Sequence, residues 1–364
     1  MISLSKKYRI FLFIATTILV IFGLVMIYSS SYVWAEYKYN DAYKYLKQQL
    51  LFSIIGFIVM FIVAKIDYKI YYKKANLILG ICLFLLVLVL IPGIGVIRNG
   101  SRSWFGIGSF GIQPSEAAKL GLIIFAAKYL SKINKEKKSF KDILPLLIIV
   151  GINFFLIMLQ PDFGTGVILV MSIITLMFVA GVNMKFFAIA GIIGVIGVVI
   201  LIVIAPYRMD RITSFINPWN DPLGTGFQII QSLYAIGPGG LLGFGFLNSR
   251  QKHFYLPEPQ TDFIFSIVCE EFGVVGALIV IILFFILCYS MLMLAIKQED
   301  KFKKYVIFAI AFQIIFQTIL NLSVVVGLIP VTGVTLPFLS YGGSSLLITM
   351  ASIGMILNLS RSNK

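Results

Sequence analysis

The chain has 364 residues, 59% of them hydrophobic and only 12% charged, and its mean hydropathy of +0.98 excludes a soluble globular fold of this length. Thirty Lys and Arg against fifteen Asp and Glu give a formal charge of +15. The basic residues lie in short segments between apolar runs, which excludes a contiguous nucleic-acid-binding domain.

Apolar runs at about 10–28, 48–64, 75–91, 114–130, 143–159, 164–180, 185–205, 263–296, 305–327 and 340–360 predict ten transmembrane helices. A hydrocarbon core of roughly 30 Å takes about 20 apolar residues per helix. The expected class is therefore all-α, a polytopic membrane protein with residues 1–364 as a single domain. Lys6, Lys7 and Arg9 precede a first run longer than a signal-peptide core, with no small-x-small cleavage site after it, so that run counts as the first span.

Of the Lys and Arg residues, nineteen fall in one set of alternating loops and nine in the other, a bias that places both termini in the cytoplasm. The outer segments are then about 29–47, 92–113, the turn around Pro161, the long stretch 206–261, and 328–339. They are rich in Gly, Pro, Trp and Arg, whereas cytoplasmic connections such as 131–142 are lysine-rich. Cys82, Cys269 and Cys288 each sit inside an apolar run and read as buried structural thiols. His253 is the only histidine, so a multi-His metal site and His-dependent catalysis are excluded and any general base is a carboxylate.

Ionisable residues inside a membrane are costly and are functional candidates by default. The fourth span opens Gln113-Pro114-Ser115-Glu116, and Lys119 follows on the same helix face, where the two charges either pair structurally or line one cavity. The next outer turn, Gln160-Pro161-Asp162-Phe163-Gly164-Thr165-Gly166, presents Asp162, which suits a helix cap as well as a site. Thr261-Asp262-Phe263 opens the eighth span, with Thr261 as the expected cap and Asp262 in the first turn, complementing the helix dipole. Capping explains each carboxylate singly but not the delivery of all three to one membrane face. Glu270 and Glu271 follow two turns deeper, where one can face the same cavity and the other needs a buried partner.

Gln313, Gln317 and Asn321 form a polar stripe on the ninth span, more often interhelical glue than a substrate path. The tenth span begins Thr335-Leu336-Pro337-Phe338-Leu339-Ser340-Tyr341-Gly342-Gly343-Ser344-Ser345, small and hydroxylated where it enters from outside. Arg98, Arg102, Arg208, Arg211, Arg250 and Lys252 flank the carboxylates, and the arginine fork suits phosphate. Trp104 and Trp219 lie near them in sequence, although Trp219 also fits an interfacial aromatic belt.

At these motifs the chain resembles the SEDS family (shape, elongation, division and sporulation), which includes FtsW and RodA. The resemblance spans nearly the whole chain. It rests on Arg102-Ser103-Trp104 with Gln113 to Glu116, on Gln160 to Gly166, on Leu256-Pro257-Glu258 with Thr261 to Phe263, and on Pro337 to Ser344. Thr335-Leu336-Pro337 and Gly343-Ser344-Ser345 look more like the FtsW and sporulation (SpoVE) branch than RodA. The resemblance implies ten transmembrane helices and peptidoglycan glycosyltransferase activity on lipid II. It also implies a partner class B penicillin-binding protein among other divisome or elongasome membrane proteins. Asp262 is the implied catalytic carboxylate, while Arg102, Trp104, Glu116, Lys119, Asp162, Glu258 and Ser344 are the implied substrate-binding set. Some relatives carry an acid shortly before the Leu-Pro-Glu motif, but here the stretch is Lys252-His253-Phe254-Tyr255.

Joining a sugar to a lipid-pyrophosphate sugar requires a base for the acceptor hydroxyl and cations for the departing pyrophosphate. Asp262 is the expected base, and Arg102, Lys119 and the loop arginines are the expected phosphate ligands. A divalent cation, Mg or Mn, on Asp162 or Glu116 is the cofactor expected, with no organic cofactor. The rival reading is a lipid II flippase that uses Glu116, Lys119 and the stripe of the ninth span as its pathway.

Overall fold

The computed structural model describes residues 4–98, 100–107, 110–133, 139–204, 209 and 213–361. All ten apolar runs form helices: α1 (Leu4–Tyr39), α2 (Lys44–Lys65), α3 (Tyr68–Leu88), α4 (Pro114–Lys132), α5 (Phe140–Met158), α6 (Phe163–Val179), α7 (Met184–Ile204), α9 (Ile264–Ile296), α10 (Lys301–Val325) and α11 (Gly343–Leu359). A short amphipathic helix, α8 (Phe227–Ile236), lies in the long outer segment. Among the described residues, six helices, α1, α2, α3, α5, α9 and α10, are long and apolar enough to cross a membrane on their own. The charges Glu116, Lys119, Lys128 and Lys132 lower the hydropathy of α4, and α6 and α11 are 17 residues each, completed by non-helical outer segments. On α7, Ile192, Ile193 and Val195 are 63–67% exposed, an outward apolar surface suited to lipid.

The beginning of α1 meets the end of α11. Ser5 Oγ donates to the Ser360 carbonyl at 3.2 Å, and Asn358 Nδ2 donates to Ala64 O at 2.9 Å. Lys297 lies over the Tyr8 ring and Lys303 over the Tyr68 ring, so the loops assigned to the cytoplasm share one end of the bundle. At the other end Ser101 bonds the Gln160 carbonyl and Tyr341 N bonds the Gln260 carbonyl. The alternation read from charge therefore matches the packing.

Outer segments hold more structure than their composition suggests. Helix α1 has 36 residues, about 54 Å at 1.5 Å per residue, well beyond a hydrocarbon core of roughly 30 Å. Its outer turns place Trp34 and Tyr37 edge-on to Phe254, which anchors the long outer segment. Residues 92–113 contain a three-stranded antiparallel sheet, β1 (Val96–Arg98), β2 (Ser101–Ile107) and β3 (Phe110–Ile112). Gly100, between β1 and β2, takes the positive φ of +78° that a tight hairpin turn requires.

Helix α9 is broken at Gly273, whose φ of 61° and ψ of −157° belong to a region open essentially to glycine. Loop backbone fills the gap: Phe244 N and Gly245 N donate to the carbonyls of Glu270 and Glu271, while Val274 N and Val275 N donate to those of Gly240 and Leu241. A break in an apolar environment needs such partners, because an unmatched amide or carbonyl there is expensive. A methyl group on Gly273 would lie 2.5 Å from the Leu241 backbone. Gly273→Ala is expected to destabilise the fold by at least 1–3 kcal/mol, of the order of a forbidden backbone conformation, seen as a lower melting temperature in detergent. An unchanged melting temperature would mean that the break relaxes freely.

Candidate functional site

The site is built at the outer ends of four helices that begin there: α4, α6, α9 and α11. Gln113, which precedes α4, ties three of them together. Its Nε2 donates to Asp162 Oδ2 at 2.8 Å, and its backbone N–H donates to Ser344 Oγ at 3.0 Å. Ser344 in turn donates to the Gly111 carbonyl at 2.7 Å, so this buried hydroxyl joins strand β3 to the start of α11. One turn inside α4, Lys119 Nζ meets Glu116 Oε1 at 2.9 Å, with the two side chains 1% and 8% exposed. Asp162 caps α6 by accepting from Thr165 N at 3.1 Å. Burial pushes its carboxyl above the usual range, and the hydrogen bonds from Thr165 oppose that rise.

Strand β2 alternates its side chains, with Ser101 and Ser103 on one face and Arg102 and Trp104 on the other. Ser101 and Ser103 share a hydrogen bond of 2.7 Å, and Ser101 also donates to the Gln160 carbonyl, which seats the hairpin on the Asp162 turn. On the other face the Arg98 guanidinium lies 5.3 Å from the Trp104 ring, and Gly111 leaves room for both.

Asp262 is half-buried in the turn immediately before α9. The sequence expectation placed it in the first helical turn with Thr261 as cap. The helix instead begins at Ile264 with Phe263 as a cap residue lacking a side-chain bond, and Thr261 Oγ1 donates back to the Glu258 carbonyl at 2.8 Å. The Asp262 carbonyl accepts from Asn321 Nδ2 at 2.7 Å. Its carboxylate lies beside Gly333, where a Cβ would be 3.9 Å from Oδ2.

Segment 331–342 links the parts. A Cβ on Gly164, two residues after Asp162, would meet Thr332 O and Val334, while Asn321 Nδ2 also donates to Val334 O at 2.8 Å and Gln317 Nε2 to Thr335 O at 3.0 Å. Ser340 Oγ donates to Thr261 O at 2.6 Å, and Tyr341 N donates to Gln260 O at 2.8 Å. Thus Glu116, Lys119, Asp162, Asp262 and Ser344 belong to one bonded outer assembly, and Arg102 lies on the hairpin seated on it, on the strand face opposite Ser101. Four helix N-termini there present partial positive charge, which favours an anionic ligand, while the charge of Lys119 is matched by Glu116. The Gln160 amide, Ser115 Oγ, Gln260 Oε1 and Thr332 Oγ1 are buried without protein hydrogen-bond partners, which makes the assembly a polar one. The Tyr341 hydroxyl donates to Gln48 Oε1 at 2.5 Å.

Other expected residues lie elsewhere. Glu258 is exposed with a positive φ of 44°, in the tight run before Asp262. Trp219 packs edge-on to Tyr234 of α8, and Arg208 and Arg211 lie outside the described residues. Lys252, which flanks the carboxylates in sequence, is buried against Glu271 at 2.8 Å. The donor set for a divalent ion does not fit as placed. Glu116 faces an ammonium, Asp162 accepts from an amide and a backbone N–H, and among the described residues no three acidic, His or Cys side chains converge. Sequence reasoning missed the hairpin and the insertion at Gly273. The Asn99-Gly100 dipeptide and the glycines at 239, 240, 243, 245 and 273 carried those signals.

The family model described as cell cycle protein, covering FtsW, RodA and SpoVE, matches residues 9–364. Stage V sporulation protein E of Bacillus subtilis (strain 168) is 51% identical over 96% of this chain and 96% of that protein. A probable peptidoglycan glycosyltransferase FtsW of Geobacter sp. (strain M18) is 40% identical over 98% of this chain and 97% of its own length. A solved chain from a peptidoglycan synthase complex that coordinates polymerization and crosslinking superposes with a TM-score of 0.79 at 29% identity, covering 96% of both chains. Matched from end to end in sequence and in fold, the chain belongs to the FtsW/RodA/SpoVE family of cell cycle proteins.

Proposed function

We propose that the protein is a multi-pass peptidoglycan glycosyltransferase of the bacterial cell membrane that polymerises lipid II at the outer face. The reading rests on near-full-length identity to a probable peptidoglycan glycosyltransferase, joined to an outer site whose charges suit a pyrophosphate-linked sugar. Asp262 takes the proton of the acceptor hydroxyl as the new C–O bond forms. The bond from the donor sugar to pyrophosphate breaks, and the leaving group carries off the electron pair. Arg102, Lys119 and the helix N-termini neutralise the charge that develops on the pyrophosphate. Arg98 and Trp104 offer a cation and a ring face to the sugars, while Glu116 holds Lys119 in place.

The partner is a class B penicillin-binding protein that crosslinks the strands, as expected from the likeness to a chain of a synthase complex. A flippase would need polar groups through the full depth of the bundle. Gln317 and Asn321, the proposed pathway on α10, instead spend their amides on the carbonyls of Thr335, Val334 and Asp262. Incubating the purified protein and its cognate transpeptidase with lipid II tests the reading: glycan strands are expected, and their absence would count against it.

A further inference from the structure

Helix α9 reaches the membrane interior in two pieces, and Asp262 stands at the outer end of the upper piece, residues 264–272. Gly273 gives that piece no rigid continuation into the lower one. A buried polar cluster holds it instead. Glu270 accepts from Ser249 Oγ at 2.5 Å and from Arg250 N at 2.8 Å. Glu271 accepts from Ser29 Oγ at 2.6 Å, from Lys252 Nζ at 2.8 Å and from Ser249 N at 3.3 Å. The Lys252 ammonium is closed in by the Tyr32 ring at 4.9 Å, one turn along α1 from Ser29. Ser29, Lys252, Ser249, Glu270 and Glu271 are all 0–2% exposed.

Two negative charges and one positive charge at this depth are a costly way to fill space, and apolar packing would be cheaper. What the charges supply is direction. The Lys252–Glu271 pair closes a loop of chain with Asp262 near its midpoint, and Ser29 ties that loop to α1. We propose that Ser29, Lys252, Glu270 and Glu271 form a clamp that positions the upper half of α9, and with it Asp262, relative to the rest of the site. The inference rests on the glycosyltransferase reading for its consequence in activity. Its structural part stands apart from that reading.

Two variants test the clamp: Glu271→Gln, and Ser29→Ala, which removes one hydroxyl and leaves the ion pair intact. In the complex with the transpeptidase each should lower kcat by roughly 10- to 100-fold, as a misplaced catalytic group does, with KM for lipid II changed by less than about twofold. Spin labels on Tyr255→Cys, in the outer run that leads into the upper piece, and Glu299→Cys, just past the end of the lower piece, with the three native cysteines replaced by alanine, report the movement of one end of α9 against the other. Their distance distribution should be narrow with the clamp intact and broadened or shifted in both variants. A distribution that stays narrow overturns the clamp whatever the activity, and a broadened distribution with normal kcat overturns its positioning role. A loss of activity that only tracks the amount of folded protein also overturns it. If the unaltered complex makes no glycan, the glycosyltransferase reading fails, while the distance measurement still decides the clamp.

Discussion

Asp262→Asn is expected to lower lipid II polymerisation by roughly 10²- to 10⁴-fold, the range for losing a general base, while the protein accumulates and melts like the parent. The substitution keeps the shape and most hydrogen bonding and removes only the proton-accepting charge. Asp262 makes no helix cap, since α9 starts after Phe263, and asparagine keeps the backbone carbonyl that accepts from Asn321. Rates from separated glycan strands, read beside melting temperatures, distinguish the outcomes. Wild-type polymerisation by a well-folded Asp262→Asn protein would remove Asp262 from the chemistry. A mutant that fails to accumulate would instead assign the carboxylate to the bundle.

The second large effect is expected at Glu116 and Lys119. Either Glu116→Gln or Lys119→Met leaves a buried charge without its partner, at a cost of about 3–5 kcal/mol. The double variant should be more stable than either single one, because the penalty belongs to the orphaned charge and not to the missing bond. Lys128→Met is the control on the same helix. Its ammonium bonds Asn76 Oδ1 at 3.1 Å near the cytoplasmic end and can extend to the headgroups, so its loss should be nearly silent. Thermal melts and polymerisation rates of the four proteins check this. Equal effects of Lys119→Met and Lys128→Met would show that the buried pair has no special role.

The ten spans and the shared end of the two termini were legible in the sequence, because length, apolarity and lysine placement are properties of each segment alone. The Glu116–Lys119 pair was legible for the same reason, since a spacing of three on one helix fixes the geometry. Motif order brought Arg102, Asp162 and Asp262 to one face, but not the contacts that join them. Those depend on residues 331–342, whose carbonyls meet Gln317 and Asn321 of another helix. The burial of Lys252 was not legible, because it sits in a long outer segment and meets Glu271 only where that segment packs into the break at Gly273. Of Glu270 and Glu271, one was expected to face the cavity and the other to need a buried partner; both are held in the buried cluster, and the cation that pairs with Glu271 lies 19 residues earlier in chain order, where no local pattern points to it.

Sealed proteoliposomes holding the protein and its transpeptidase allow glycan synthesis and lipid II translocation to be measured on the same vesicles, with wild type and Asp262→Asn side by side. Glycan strands are expected from wild type and nearly none from the variant, with translocation in both no faster than in protein-free vesicles. Translocation that depends on Asp262, with no glycan from wild type, would contradict a polymerase and establish a flippase in its place.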